Sequence, residues 1–258
     1  MTDKKVYMTL FIILIVFFLV MFFALGIPNI LQEAKETTLL VGDNTIFTYQ
    51  KKKWRLMTDI SAKQELDWKK YHVFLEGEYK GEFSLWNEGK WYAFDEEKNG
   101  IPLEGTFLAY TSNRSISVFP FTLEEIENKD IVSSFLQEKG LDPNSEFTAS
   151  YQTSFDFDGD GSNETFYLVS NVFPDFEVSQ IFSFVFMMKE NQIYPIYEEV
   201  LDNLSFNGCK PYFHTFLDLD EDNTYEMILS CGRYSVDEPL NMLFQFRNGE
   251  FKNIVSSE

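Results

Sequence analysis

Histidine and cysteine each occur only twice in 258 residues, which removes most of the material for zinc sites, redox centres and histidine-based catalysis. His72 lies in a strand-like run and His214 in the stretch before an acidic loop. Neither has a metal-spaced partner, so each is read as structural. No nucleophile-elbow sequence, phosphate-cradling glycine loop or redox-spaced cysteine pair occurs. A hydrolase built on two carboxylates stays open, because its acids need proximity in space rather than along the chain. Basic residues are scarce too: 21 Lys and Arg face 41 Asp and Glu, a net charge of −20. Nucleic acid and anionic membrane surfaces repel such a chain, which argues against both as ligands.

Long apolar runs are also rare, with one exception. Val6 to Ile27 contains no charge, and only Tyr7 and Thr9 are mildly polar. At 1.5 Å per residue it reaches about 33 Å, enough to cross a bilayer core. Lys4 and Lys5 precede it, while Glu33, Lys35 and Glu36 follow. The positive-inside bias then puts the N-terminus in the cytoplasm and everything after Ile27 outside. A cleaved signal peptide is the competing reading, with Ala24 and Gly26 near a cleavage site, but its apolar region usually spans only about 7–15 residues. The expectation is a cytoplasmic tail over 1–5, an uncleaved single-pass transmembrane helix over 6–27 in the cell membrane, and an extracytoplasmic remainder.

That remainder is long enough for one large or two small domains with real cores. Its aromatic load, with 28 Phe and 13 Tyr in the whole chain, suits packed β-sheets rather than a disordered stalk. Four hairpins are legible: 46–49 with 54–57, 83–86 with 91–94, 184–187 with 193–196, and 243–246 with 251–254. One soluble helix is expected. Thr122 and Glu125 form a capping-box pattern, apolar residues follow from Leu123 to Leu136, and Gly140 then Pro143 mark the stop. The resulting division is a linker over 28–42, an N-terminal β region over 43–120, a connecting helix over 121–144 and a C-terminal β region over 145–258. The fold class is mainly β, either a partial propeller-like stack or two packed β domains. A full seven-bladed ring is too large for this chain.

The strongest signal is an acidic loop used twice. Asp156, Asp158 and Asp160 with Glu164 recur 62 residues later as Asp218, Asp220 and Asp222 with Glu226. Three carboxylates on alternate residues of a tight turn repel one another unless a cation sits among them. Calcium takes six to eight oxygens at about 2.3–2.6 Å, and a short loop supplies them from alternating side chains, a backbone carbonyl and a closing acid. The expected ligands are Asp156, Asp158, Asp160, the Ser162 carbonyl and Glu164, then Asp218, Asp220, Asp222, the Thr224 carbonyl and Glu226. Gly159 and Gly161 let the first loop wrap tightly; Glu221 and Asn223 replace them in the second, which weakens it. An EF-hand needs its acid at loop position twelve, which falls here on Tyr167 and Leu229.

The flanks, 165–170, 212–217 and 225–230, are rich in β-branched and aromatic residues, so each unit reads strand, acidic loop, strand. The run from Phe155 through Asp156, Phe157, Asp158, Gly159, Asp160, Gly161, Ser162 and Asn163 to Glu164 resembles the FG-GAP and VCBS-type repeats of extracellular β-propeller and adhesion proteins. The resemblance covers about residues 148–258. It implies a calcium loop between two strands of a blade.

Cys209 and Cys231 flank the second acidic loop, where they can form a disulfide in an oxidising exterior; two buried free thiols are the alternative. Trp54, Trp68, Trp86 and Trp91 cluster in the N-terminal half, either as strand-core packing or as a sugar- or peptide-binding platform. Asn113, Asn163 and Asn203 match glycosylation triplets. The function expected from all this is a membrane-anchored, calcium-stabilised binding or adhesion-type module for a protein or glycan partner. The alternatives are an anchored cell-envelope hydrolase and the ectodomain of a membrane regulator or sensor.

Overall fold

The computed structural model describes residues 37–42, 45–50, 53–57, 66, 68–75, 78–88, 90–103, 107–111, 116–172, 180–201, 208–219, 222–233 and 236–256. The apolar run 6–27, with the tail before it and residues 28–36 after it, lies outside the described residues. Among those described, no helix is long and apolar enough to cross a membrane. The described chain is mainly β, with three sheets and one helix.

The first sheet takes eight antiparallel strands from the N-terminal half: β1 (Thr37–Val41), β2 (Thr45–Gln50), β3 (Lys53–Leu56), β4 (Lys70–Leu75), β5 (Glu78–Asn87), β6 (Trp91–Phe94), β7 (Gly100–Pro102) and β8 (Phe107–Thr111). Their order is β3-β2-β1-β8-β4-β5-β6-β7. This corrects the expected linker over 28–42. Thr37–Val41 is an uncharged run of β-forming residues, fully buried, and it pairs with β2 on one side and β8 on the other. Its Leu40 faces a cluster with Ile46, Tyr71, Val73, Leu85 and Trp91, whereas Leu39 and Val41 face the opposite way. That is the two-residue alternation of a strand buried on both faces.

The C-terminal half builds two five-stranded sheets. One is β10 (Glu124–Glu125), β11 (Ala149–Phe155), β12 (Glu164–Ser170), β13 (Ile181–Lys189) and β14 (Gln192–Leu201), in sequence order. The other contains β15 (Lys210–Asp218), β16 (Glu226–Arg233), β17 (Val236–Arg247) and β18 (Glu250–Ser256), closed on the β15 edge by β9 (Ser117–Phe119). The expected boundary at residue 120 therefore falls inside this arrangement, since β9 joins the C-terminal sheet. All four hairpins read from the sequence are present as β2–β3, β5–β6, β13–β14 and β17–β18.

The sole helix among the described residues, α1 (Lys129–Glu138), is shorter than the expected 121–144. Glu124 and Glu125 pair with Gln152 and Tyr151 along the β11 edge instead of opening a helix. The start passes to Asn128, whose side chain accepts the Asp130 N–H at 3.1 Å. Gly140, at φ +75°, ends the helix as its position predicts.

The layers stack as first sheet, β15–β18 sheet, β11–β14 sheet and α1. Ile228 and Leu243 pack with Leu39, Phe47 and Leu108 of the first sheet. Their neighbours Met227, Leu229 and Phe244 turn to the other side and meet Phe155, Phe166, Leu168 and Met187. Tyr167, Val169, Phe184 and Phe186 face outward again and are covered by Val132, Phe135 and Leu136 of α1. The middle sheets are thus buried on both faces, which is why β16 reads as an apolar run rather than an alternating one. A buried amide joins two layers: Asn241 on β17 donates to Thr45 Oγ1 on β2 at 2.7 Å.

Phe166 lies at the centre of the inner core, fully buried, with rings of Phe155, Phe157 and Phe216 at 5.4, 5.1 and 5.0 Å. Phe166→Ala is expected to cost about 3–5 kcal/mol in equilibrium urea unfolding, while Tyr151→Ala on the outer surface changes the midpoint little.

His214 on β15 lies beside a bulge between Phe213 and Thr215. Its ring nitrogens are shut off from solvent and find no hydrogen-bond partner among the described residues. Burial pushes its pKa down to about 4, below the unfolded value of about 6.5. A folded-state pKa below the unfolded one means that stability is fully present above pH ~6.5 and drains away as pH falls toward 4. Between pH 7 and 4.5 the loss from this group is expected to be about 2–3 kcal/mol. His214→Phe removes that part of the slope, as read from urea midpoints at the two pH values.

Candidate metal centre

Both acidic loops join the first two strands of a four-strand meander, the first between β11 and β12, the second between β15 and β16. They are built alike. The ninth-position acids are buried: Glu164 is 0% exposed and Glu226 1%. Each reaches back across its own loop, so that Glu164 Oε2 accepts the Phe157 N–H at 2.8 Å and Glu226 Oε2 accepts the Leu219 N–H at 2.8 Å. Ser162 N–H donates to Asp160 Oδ1 and Thr224 N–H to Asp222 Oδ1, both at 2.8 Å. Gly161 N–H donates to Asp156 Oδ2 at 3.0 Å, and Asn223 N–H to Asp218 Oδ2 at 3.2 Å. Gly161 at φ +88° and Asn223 at φ +65° occupy the same left-handed turn position, which Asn tolerates better than most residues.

The loops then differ in what meets their remaining oxygens. In the first, Asp156 Oδ1 and Asp158 Oδ1 are buried without a hydrogen-bond partner, and Glu164 Oε1, equally buried, meets only the Lys189 ammonium at 3.2 Å. Asp156, Asp158 and Glu164 offer ligand atoms that all lie within 4.8 Å of one another. Two oxygens on one calcium at about 2.4 Å each stand at most about 4.8 Å apart, so the donor set fits a single ion. Each of the three carboxylates has one oxygen held by a protein donor; the second is left over on Asp156 and Asp158, and on Glu164 it faces the lysine alone. Glu164 therefore offers one oxygen to an ion, not two.

Lys189, at the end of β13, is the cation of this cluster. Its Nζ lies 2.6 Å from Asp158 Oδ2, 2.6 Å from Asp160 Oδ2 and 3.2 Å from Glu164 Oε1. Burial opposes its charge, yet the hydrogen bonds it donates to these carboxylates outweigh it and hold the ammonium well above the ordinary lysine range. The same contact, with the Ser162 N–H behind it, holds Asp160 below the usual carboxylate range. Sequence reasoning missed Lys189, since it stands 25 positions beyond Glu164. Only the register that places Met188 opposite Thr165 brings it there.

In the second loop protein donors fill the places equivalent to the Asp156 and Glu164 oxygens. Asp218 accepts the Asp222 and Asn223 N–H groups, one on each oxygen at 3.2 Å. Glu226 Oε1 accepts Gln245 Nε2 at 2.7 Å. Phe244 stands opposite Met227 as Met188 stands opposite Thr165, so Gln245 takes the place of Lys189. Asp220 lies outside the described residues. Among those described, the second loop gathers no group of three carboxylates.

The loops also touch. The Tyr225 N–H donates to the Phe157 carbonyl at 3.1 Å, and a Cβ on Gly159 would lie 3.4 Å from the Asn223 carbonyl oxygen. Tyr225 sits between them, its hydroxyl pushed up by burial first and then by Asp218 and Asp156. At the far end of the β15–β16 pair from the loop, Cys209 and Cys231 form a buried disulfide with Cα atoms 5.3 Å apart.

The other candidate residues stay apart from this centre. Trp91 is core, Trp54 packs between layers, Trp86 lies against Tyr92 and Phe94, and Trp68 is 60% exposed, so the four do not make one platform. His72 Nδ1 lies 3.0 Å from the Tyr79 hydroxyl. Asn163 is exposed on the first loop, while Asn113 and Asn203 lie outside the described residues. A cleft of about 690 Å³ between α1 and β11 carries the exposed Glu125 and Glu146. No protein-family model, no curated protein and no solved structure matches this chain.

Gln245→Ala strips the donor from the buried Glu226 and is expected to destabilise the protein by about 1–3 kcal/mol. Gln245→Lys, which restores a donor, is expected to recover most of it, as read from paired denaturant midpoints.

Proposed function

We propose that the protein is a membrane-anchored, extracytoplasmic binding module whose first acidic loop takes a structural calcium ion. The observation that carries the calcium reading is the trio of buried oxygens on Asp156, Asp158 and Glu164, of which the two aspartate oxygens have no partner and the glutamate oxygen meets only the Lys189 ammonium. Buried carboxylate oxygens are normally satisfied, and a hard divalent cation is the partner this all-oxygen set suits. Charge points the same way: Asp156, Asp158, Asp160 and Glu164 are four carboxylates against the single ammonium of Lys189. An ion there ties the end of β11 to the start of β12 at the junction of the two loops.

Two four-strand meanders, each with the same loop at the same place, support the blade-like repeat reading and a stacked scaffold that displays surface loops. The run 6–27 supports the anchor and, through its flanking charges, an outward-facing scaffold. Outside the cell calcium is abundant enough to fill a site of modest affinity. The acidic surface favours a protein or glycan partner over nucleic acid.

Calcium bound only to the folded state stabilises it by about 2.7 kcal/mol at a hundredfold excess over Kd, which raises Tm by about 5–10 °C in a chain of this size. The full-length protein in detergent is expected to show this rise in scanning calorimetry, and Asp156→Asn with Asp158→Asn to lose it. Equal melting temperatures in chelator and in millimolar calcium would rule the metal out.

A further inference from the structure

We propose that Lys189 is a tethered cation that holds the first acidic loop together when no metal is bound and that calcium must displace. Calcium affinity is then set by a competition inside the chain. The inference rests on the calcium reading above and adds its regulation.

The geometry sets the two cations in competition for Glu164 Oε1. The Lys189 Nζ lies 3.2 Å from Glu164 Oε1, a fully buried oxygen with no other partner among the described residues, and 2.6 Å from Asp158 Oδ2 on the neighbouring ligand residue. A calcium ion on the same Glu164 oxygen would sit about 2.4 Å from it. An ammonium and a divalent ion sharing one carboxylate oxygen at those distances repel strongly in a site so shielded from water. The lysine therefore has to leave.

It is free to do so. Lys189 is the last residue of β13, immediately before the two-residue turn of exposed Glu190 and Asn191, both at positive φ. Its side chain is 17% exposed and its stem is flexible enough to turn outward. Until then it bridges Asp158 and Asp160, which would otherwise repel each other across the turn. The sister loop supplies the contrast: the position opposite its buried Glu226 holds Gln245, a neutral donor that binds the acid without competing for a cation's charge.

The test compares calcium binding by the full-length protein and its Lys189→Gln variant, in detergent, by isothermal titration. Gln is chosen because the sister repeat accommodates it at this position. Because a site available only part of the time binds with proportionally lower apparent affinity, the variant is expected to bind calcium about tenfold more tightly or better. Equal dissociation constants would overturn the competition and leave the calcium reading standing. Binding by the variant alone would support the competition while removing calcium from the natural chain. Failure of both to bind would overturn both ideas. A second readout needs no variant: acetylation of Lys189 in the wild-type protein, mapped by mass spectrometry, is expected to rise on adding calcium. Unchanged acetylation in a protein that binds calcium would overturn the proposal.

Discussion

A fully buried carboxylate must be matched by donors or a cation, and two such groups organise the C-terminal half of this protein. Glu164 and Glu226 each commit one oxygen to the N–H at the second position of their own loop, which pins the loop's entry to the first residue of the outgoing strand. The other oxygen then faces the third strand of the meander, and whatever stands there decides the character of the loop. Gln245 answers with an amide, and Glu226 is satisfied by protein donors on both oxygens. Lys189 answers with a charge that is spread over three carboxylates and leaves Asp156 Oδ1 and Asp158 Oδ1 unmatched. Leaving a buried oxygen unmatched is costly, so the first loop has a reason to recruit an ion.

The sheets supply what the loops cannot. Because β16 and β12 are buried on both faces, their registers are fixed by packing as well as by hydrogen bonding, and a one-residue slip would turn every core side chain to the wrong layer. That rigidity sets Lys189 and Gln245 opposite their glutamates. It also stacks the two meanders so that their acidic turns meet at one end, joined by the Tyr225 to Phe157 hydrogen bond. A cation in the first loop would thus act on a junction shared by both units.

Much of this was legible in the chain, and what was not has physical causes. The β class followed from aromatic, β-branched runs, and the four hairpins from turns between paired apolar stretches. Thr37–Val41 was misjudged as linker because the polar residues before it masked a short central strand. The helix start was misplaced because Thr122 and Glu125 satisfy a capping pattern that an available strand edge at β11 outcompetes. The acidic trio stood out because its members are close along the chain. Lys189 and Gln245 did not, because their roles arise from cross-strand register, and nothing about a lysine before a turn marks it as a counter-ion.

The most direct measurement is anomalous diffraction from crystals grown in calcium and in chelator. The account predicts a calcium peak about 2.3–2.6 Å from Asp156 Oδ1, Asp158 Oδ1 and Glu164 Oε1, with the Lys189 ammonium moved away from Asp158 and Gln245 still on Glu226. No peak at the first loop in millimolar calcium, with Lys189 still bridging Asp158 and Asp160, would contradict it.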